Sequence, residues 1–81
     1  MSGNAPLTPH AAFGQALRGL RLSAGLSQEQ LGLESGVQRN FISPIETGQN
    51  QPTINTIFKL AAALNVKPSH LIADTEKLLE K

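Results

Sequence analysis

"LSQEQLGLESGVQRNFISPIETG", residues 26–48, carries two short helical patterns on either side of one Ser-Gly turn, and its reading decides the fold. Ser27 is an N-cap with Gln30 three residues on, the arrangement of a capping box, and Leu26 ahead of the cap can close on Leu31 as a hydrophobic staple. Glu34-Ser35-Gly36 ends this helix early. The next pattern begins near Gln38 and runs to Thr47, with Gly48 as its stop. Two short helices joined by a tight glycine turn pack at a steep angle, which is the helix-turn-helix unit. A plain bundle of four or five helices shares this spacing, so spacing alone leaves both readings open.

Pro44 interrupts the second pattern. In a helix interior its ring removes one backbone hydrogen bond and presses on the carbonyl of Asn40. Ser43-Pro44-Ile45-Glu46 could start a new helix, but only about four residues would remain before Gly48. One continuous, kinked helix is the expectation, with local distortion at Ser43 because proline disfavours helical geometry before it.

Working outward, Thr8-Pro9 is a helix start, a capping hydroxyl followed by proline at the first position. Phe13, Leu17, Leu20 and Ala24 follow at helical spacing, and Gly25 ends the run. After the polar stretch 49–52, Thr53 caps a fourth helix expected to place Ile54, Ile57, Phe58, Ala61 and Leu64 on one face, with Asn65 as a left-handed terminator. Pro68 starts a fifth helix, about 68–80, carrying Leu71, Ile72, Leu78 and Leu79. Residues 1–7 are small, polar and proline-interrupted, a flexible segment ahead of a single domain at 8–81. The fold class is all-α, a compact five-helix domain.

Composition agrees. The 81 residues leave room for one domain, with stability on the order of 5 kcal/mol. Three Phe and no Trp or Tyr make the core aliphatic. Cysteine is absent, which excludes disulfides and thiolate sites. No stretch approaches a membrane span or a signal peptide, so a cytoplasmic location is expected. A formal charge of +1 argues neither for nor against nucleic acid. His10 and His70 are isolated in sequence, no metal-ligand spacing or nucleophile–base set appears, and no glycine-rich phosphate loop exists. No metal, cofactor or enzymatic activity is expected.

The third helix has two unlike sides. At about 100° per residue, Gln38, Phe41, Ile42 and Ile45 cluster on one, while Arg39, Asn40, Ser43, Pro44 and Thr47 take the other. The second side offers a guanidinium, a carboxamide and two hydroxyls without an acid. Arginine can fork onto guanine O6 and N7, asparagine onto adenine N6 and N7, and a helix enters the major groove with its N-terminal residues at base edges. Gln28, first in the second helix, stands beside unpaired N–H groups suited to a phosphate. Thr47, Gln49, Asn50 and Gln51 form an uncharged donor cluster, although an ordinary polar loop also reads this way. Pro44 is expected on the face aimed at bases, contributing shape, for example against a thymine methyl.

Residues 17–66 closely resemble the phage-repressor-like (Cro/Xre type) helix-turn-helix family. The chain supplies in order a leading Arg, a Gly-Leu-Ser-Gln-x-x-Leu run, Ile-Ser-x-Ile-Glu-x-Gly, then Pro and a Leu-rich helix. The resemblance implies that Gln38, Arg39, Asn40 and Pro44 approach bases or their sugar-phosphate flanks, that Gln28 contacts phosphate and supports a base-reading side chain, that Thr47 and the loop after Gly48 contact the DNA backbone, and that Arg21 and Glu46 form an ion pair. Ser43, on the same side of the third helix, is a further candidate for a backbone contact. It further implies a small regulator of bacterial or phage context, associated with the nucleoid, that binds double-stranded DNA as a homodimer on a palindromic operator. Leu71, Ile72, Leu78 and Leu79 of the fifth helix are the candidates for dimer contacts. The alternative is a protein-interaction module, antitoxin or bridging factor, that mainly binds a partner protein. Three departures stand out: Gly32 in place of the usual Ala, Phe41 where Tyr is common, and no Lys or Arg in the loop after the third helix.

Overall fold

The computed structural model describes residues 7–80. The flexible segment expected at 1–7 lies, apart from Leu7, outside the described residues. Five helices follow: α1 (Pro9–Ser23), α2 (Gln28–Ser35), α3 (Arg39–Glu46), α4 (Ile54–Ala63) and α5 (Pro68–Leu79). Their starts are chemical. Thr8 Oγ1 accepts the Ala11 N–H at 3.2 Å, and Thr53 Oγ1 accepts that of Thr56 at 3.1 Å. At α2 the capping box is complete: Ser27 Oγ accepts the Gln30 N–H at 3.0 Å, and Gln30 Oε1 accepts the Ser27 N–H at 2.8 Å.

The end of α3 answers the question that Pro44 poses. The helix is continuous from Arg39 to Glu46, with the proline inside it. Gly48 takes φ +79°, the left-handed geometry that glycine adopts without a Cβ penalty. The Gly48 N–H then donates to Ile45 O at 3.2 Å and the Gln49 N–H to Pro44 O at 2.8 Å, the two bonds of a Schellman motif. Asn65 (φ +61°) ends α4 in the same way, with the Val66 N–H returning to Ala61 O at 3.0 Å.

One aliphatic core joins the helices: Phe13 and Leu17 of α1, Leu31 of α2, Ile42 and Ile45 of α3, Ile57, Leu60, Ala61 and Leu64 of α4, and Leu71 of α5. The first helix packs on both α3 and α5, and α2 fits between α3 and α4. This corrects the expected face of α4. Ile54 and Phe58 are 68% and 58% exposed, whereas Leu60 is fully buried. The helix is apolar on more than one side, so periodicity does not choose, and the core takes the 57/60/61/64 stripe. Gln38 is exposed and does not belong to the buried side of α3, while Phe41, half-exposed, lies at the edge of that side, as the helical spacing predicts. Leu71 is withdrawn from the dimer candidates: it is completely buried in the core of its own chain and has no surface to offer a second copy.

How deeply α1 sits against α3 depends on Gly14. A Cβ there would fall 2.2 Å from Ile45 O and 2.7 Å from Glu46 O, main-chain atoms that cannot rotate aside. Gly32 is tight in the same sense, its added Cβ meeting Val37 O at 2.8 Å. Gly19, on the same helix as Gly14, would meet nothing within 4 Å. Gly14→Ala is therefore expected to lower unfolding stability by about 3 kcal/mol, while Gly19→Ala should raise it by roughly 0.5–1 kcal/mol through helix propensity. Urea unfolding of the two variants checks this; equal effects would show that α1 does not need the close approach.

Candidate nucleic-acid interface

The site begins with a buried ion pair beneath it. Arg21, in the last turn of α1, donates from Nε to Glu46 Oε2 at 2.6 Å and from Nη2 to Glu46 Oε1 at 2.9 Å. Its Nη1 donates to Leu26 O at 2.9 Å, fixing the chain between α1 and α2. Side-chain exposure is 8% for Arg21 and 2% for Glu46, so solvent screens this pair little. The hydrogen bonds to Glu46 raise the Arg21 pKa above its ordinary value; burial works against this and the carboxylate charge adds to it.

Gln28 joins the network from the other side. Its Nε2 donates to Glu46 Oε1 at 3.1 Å, so its NH₂ group is turned inward and its carbonyl oxygen remains. That contact ties the first residue of α2 to the last residue of α3. With Gln38, Arg39, Asn40 and Ser43 it lines a concave surface of about 580 Å³ that holds one cation and no acid. Gln38 is the N-cap of α3, but its side chain makes no capping bond, and of the first-turn N–H groups that of Phe41 is taken by Gln38 O at 2.9 Å. The surface thus presents a forked donor, carboxamides, a hydroxyl and the positive end of a helix dipole. Pro44 is half-buried and outside this lining, one turn further along α3.

The backbone-contact candidates divide. Gln49, Asn50 and Gln51 are exposed, and the N–H groups of Gln49 and Asn50 are taken by Pro44 O at 2.8 and 3.2 Å, leaving their side-chain amides as available donors. Thr47 is exposed, yet its hydroxyl donates within α3, to Ser43 O at 3.1 Å and Pro44 O at 3.3 Å. It has one proton, so donating to a phosphate requires releasing these acceptors.

Away from the concave surface, Ile72 and Leu79 are partly exposed on α5, and Leu78 is half-buried in a groove against Gly19 and Leu20 of α1. Sequence reading missed the exposed pair Ile54 and Phe58, which share a face of α4 at i,i+4 spacing. It also missed the Gln28–Glu46 bond, for which no local signal exists. His70 Nε2 and Asp74 Oδ2 lie 3.5 Å apart on the surface of α5. Among the described residues no acidic or histidine cluster is arranged to hold a metal ion, and no helix is long and apolar enough to cross a membrane.

Removing Arg21 tests the ion pair. Arg21→Met strands a buried carboxylate, with an expected loss of about 3–5 kcal/mol, whereas a loss below about 1 kcal/mol would mean the pair behaves as an exposed one. A pKa raised on folding makes the arginine's stabilising effect complete below its unfolded-state pKa and lost only as pH rises through the folded-state value. The cost of Arg21→Met is therefore expected to change little, through Arg21 itself, between about pH 7 and about pH 9. Urea titrations at both pH values read it.

The family described as Helix-turn-helix (HTH_3) matches residues 17–71. Control protein C.BamHI of Bacillus amyloliquefaciens is 41% identical over 61 residues, covering 74% of this chain and 75% of that protein. The crystal structure of the restriction–modification controller protein C.AhdI from Aeromonas hydrophila is similar at a TM-score of 0.74 and 44% identity, over 75% of this chain and 92% of that one. Wild-type controller protein C.Esp1396I superposes at a TM-score of 0.83 and 25% identity, over 90% and 96% of the two chains. With the capped α2–α3 pair and the polar surface above it, these similarities show that the chain belongs to the helix-turn-helix family of DNA-binding transcriptional regulators, with a controller-protein-like fold, and is not an enzyme.

Proposed function

We propose that this chain is a small cytoplasmic transcriptional regulator that lays α3 in the major groove of a palindromic operator as a homodimer. The observation that carries the reading is the concave surface of Gln28, Gln38, Arg39, Asn40 and Ser43, acid-free and underpinned by a buried ion pair. Arg39 and Asn40, first and second in α3, have the donor and acceptor groups that read guanine and adenine. Ser43 and the side chains of Gln49, Asn50 and Gln51 flank them as contacts to the sugar-phosphate backbone, and Gln28, whose amide is turned onto Glu46, contributes through its main-chain N–H at the start of α2. Thr47 contributes there after giving up its internal bonds. The half-buried Pro44 contributes shape. Restriction–modification control is the context that the names of the relatives suggest, and repression of a nearby promoter is the simplest action of a protein on such a site.

One such module makes few base contacts, and two-fold symmetric dimers read two half-sites together. Dimer contacts are proposed for the exposed apolar side chains Ile72 and Leu79, with Leu78 beside them and Ile54 and Phe58 of α4 added. Those exposed groups equally suit a different partner protein, so the oligomeric state separates the two readings.

Selection of bound sites from random DNA, at stated salt, is expected to return a palindrome. Arg39→Ala should relax preference at one base of each half-site, by about 1–3 kcal/mol; unchanged enrichment would remove Arg39 from readout. With one cation on the surface, two to four phosphates neutralised per protomer give a log K versus log [salt] slope of about −4 to −7 for a dimer, and a slope steeper than about −8 contradicts this. Sedimentation is expected to show a dimer that Phe58→Ser or Leu79→Ser weakens. A monomer at high micromolar concentration, free and on operator DNA, rules out the homodimer.

A further inference from the structure

Proline at position 44 leaves the helical acceptor four residues earlier, the main-chain carbonyl of Asn40, without its N–H partner. Other carbonyls of this segment are filled. Gln38 O accepts the Phe41 N–H at 2.9 Å, Ser43 O accepts the Thr47 N–H at 3.0 Å, and Pro44 O accepts the N–H groups of Gln49 and Asn50. Ile45 O accepts that of Gly48 at 3.2 Å. The loss of the α-helical donor to Asn40 O therefore follows from the chemistry of Pro44, which has no N–H, and not from a loose helix.

Its position gives it meaning. Asn40 is exposed and lines the concave surface beside Arg39 and Ser43. In the free protein an exposed carbonyl without a protein donor is satisfied by water. When a duplex closes on this face that water is displaced, and an acceptor left unpaired opposes docking. The donors that base edges present in the major groove are the exocyclic amines, adenine N6 and cytosine N4. Arg39 is donor-only and selects acceptor edges. The Asn40 carbonyl is acceptor-only and selects the complementary set.

We propose that the main-chain carbonyl of Asn40, freed by Pro44, is a specificity-determining acceptor that takes a hydrogen bond from the exocyclic amine of an adenine or cytosine in the major groove. This rests on the docking of α3 proposed above. It makes Pro44 a positioning residue: the proline acts through the atom it leaves unbonded, in addition to any contact of its own ring.

A main-chain oxygen cannot be deleted, but it can be occupied. Pro44→Ala supplies an N–H that closes on Asn40 O and should also strengthen α3, so loss of folding does not confuse the result; slowed hydrogen exchange of the new amide at position 44 verifies the bond. The probe is the half-site selected by the wild-type protein, with each adenine in turn replaced by purine and each cytosine by 2-pyrimidinone, removing single amines. At one base, amine deletion is expected to weaken wild-type binding about tenfold and to have twofold effect or less on Pro44→Ala. Equal cost in both proteins overturns the proposal, since a side chain then reads the amine; so does a wild-type protein indifferent to every amine. A parallel series with uracil for thymine isolates the ring: if Pro44→Ala abolishes methyl dependence alone, the carbonyl is not a reader. If wild-type protein selects no site at all, the major-groove reading fails, and this inference with it.

Discussion

The Arg21–Glu46 pair is the constraint on which the rest of the molecule depends. It links positions 25 residues apart, the last turn of α1 and the last residue of α3, in two parallel hydrogen bonds. A buried ion pair is no guaranteed gain, because removing two charges from water costs several kcal/mol per ion. Here that cost is offset by satisfaction. Glu46 accepts from Arg21 at both oxygens and from Gln28 at one, and Arg21 has a third acceptor in Leu26 O. One carboxylate therefore sets the relative positions of α1, α2 and α3. The planar fork matters, since a lysine ammonium could hold Glu46 but not fix its orientation.

Gly14 makes that geometry possible. The backbone of α1 comes so close to Ile45 O and Glu46 O that no side chain fits between. Charge and close approach thus converge on the same end of α3, and the polar surface sits above a support with little freedom. A base-reading side chain misplaced by an ångström loses its hydrogen bond, so rigidity below the surface is a condition for discrimination on it.

The sequence showed what is local and obscured what is shared. The caps at Thr8, Ser27 and Thr53 were legible because each bond closes within three residues. The helix-turn-helix pair and the side of α3 carrying Arg39, Asn40 and Ser43 were legible from periodicity and turn chemistry. The buried face of α4 was misread, because Ile54, Phe58 and Leu60 are all apolar and only packing against α2 and α5 selects among them. Leu71 was misassigned for a related reason: a leucine in a first helical turn carries no mark of what covers it. At the site, a helical wheel says which way Thr47 points but not that its proton is already used, and nothing near Gln28 announces a bond to a residue eighteen positions away. Nothing in the sequence around Gly14 distinguishes it from Gly19, since the main chain that crowds it lies about thirty positions away in α3.

These features explain how an eight-residue helix can tolerate proline near its middle. A helix this short is marginal alone, and its order comes from tertiary contacts rather than from its own bonds. Ile42 and Ile45 are buried, Glu46 is anchored by Arg21, and the C-terminal turn is closed through the carbonyl of Pro44. The lost N–H at position 44 takes one bond from a helix that does not depend on that bond for existence. The proline does not disturb the closure, because it lacks only the N–H and its carbonyl still receives the returning chain at Gln49 and Asn50. In the proposed docking, support and readout are thereby separated: the inner side of α3 is held by core and charge, which leaves the outer side free to present the donors, acceptors and shape that a DNA site would meet.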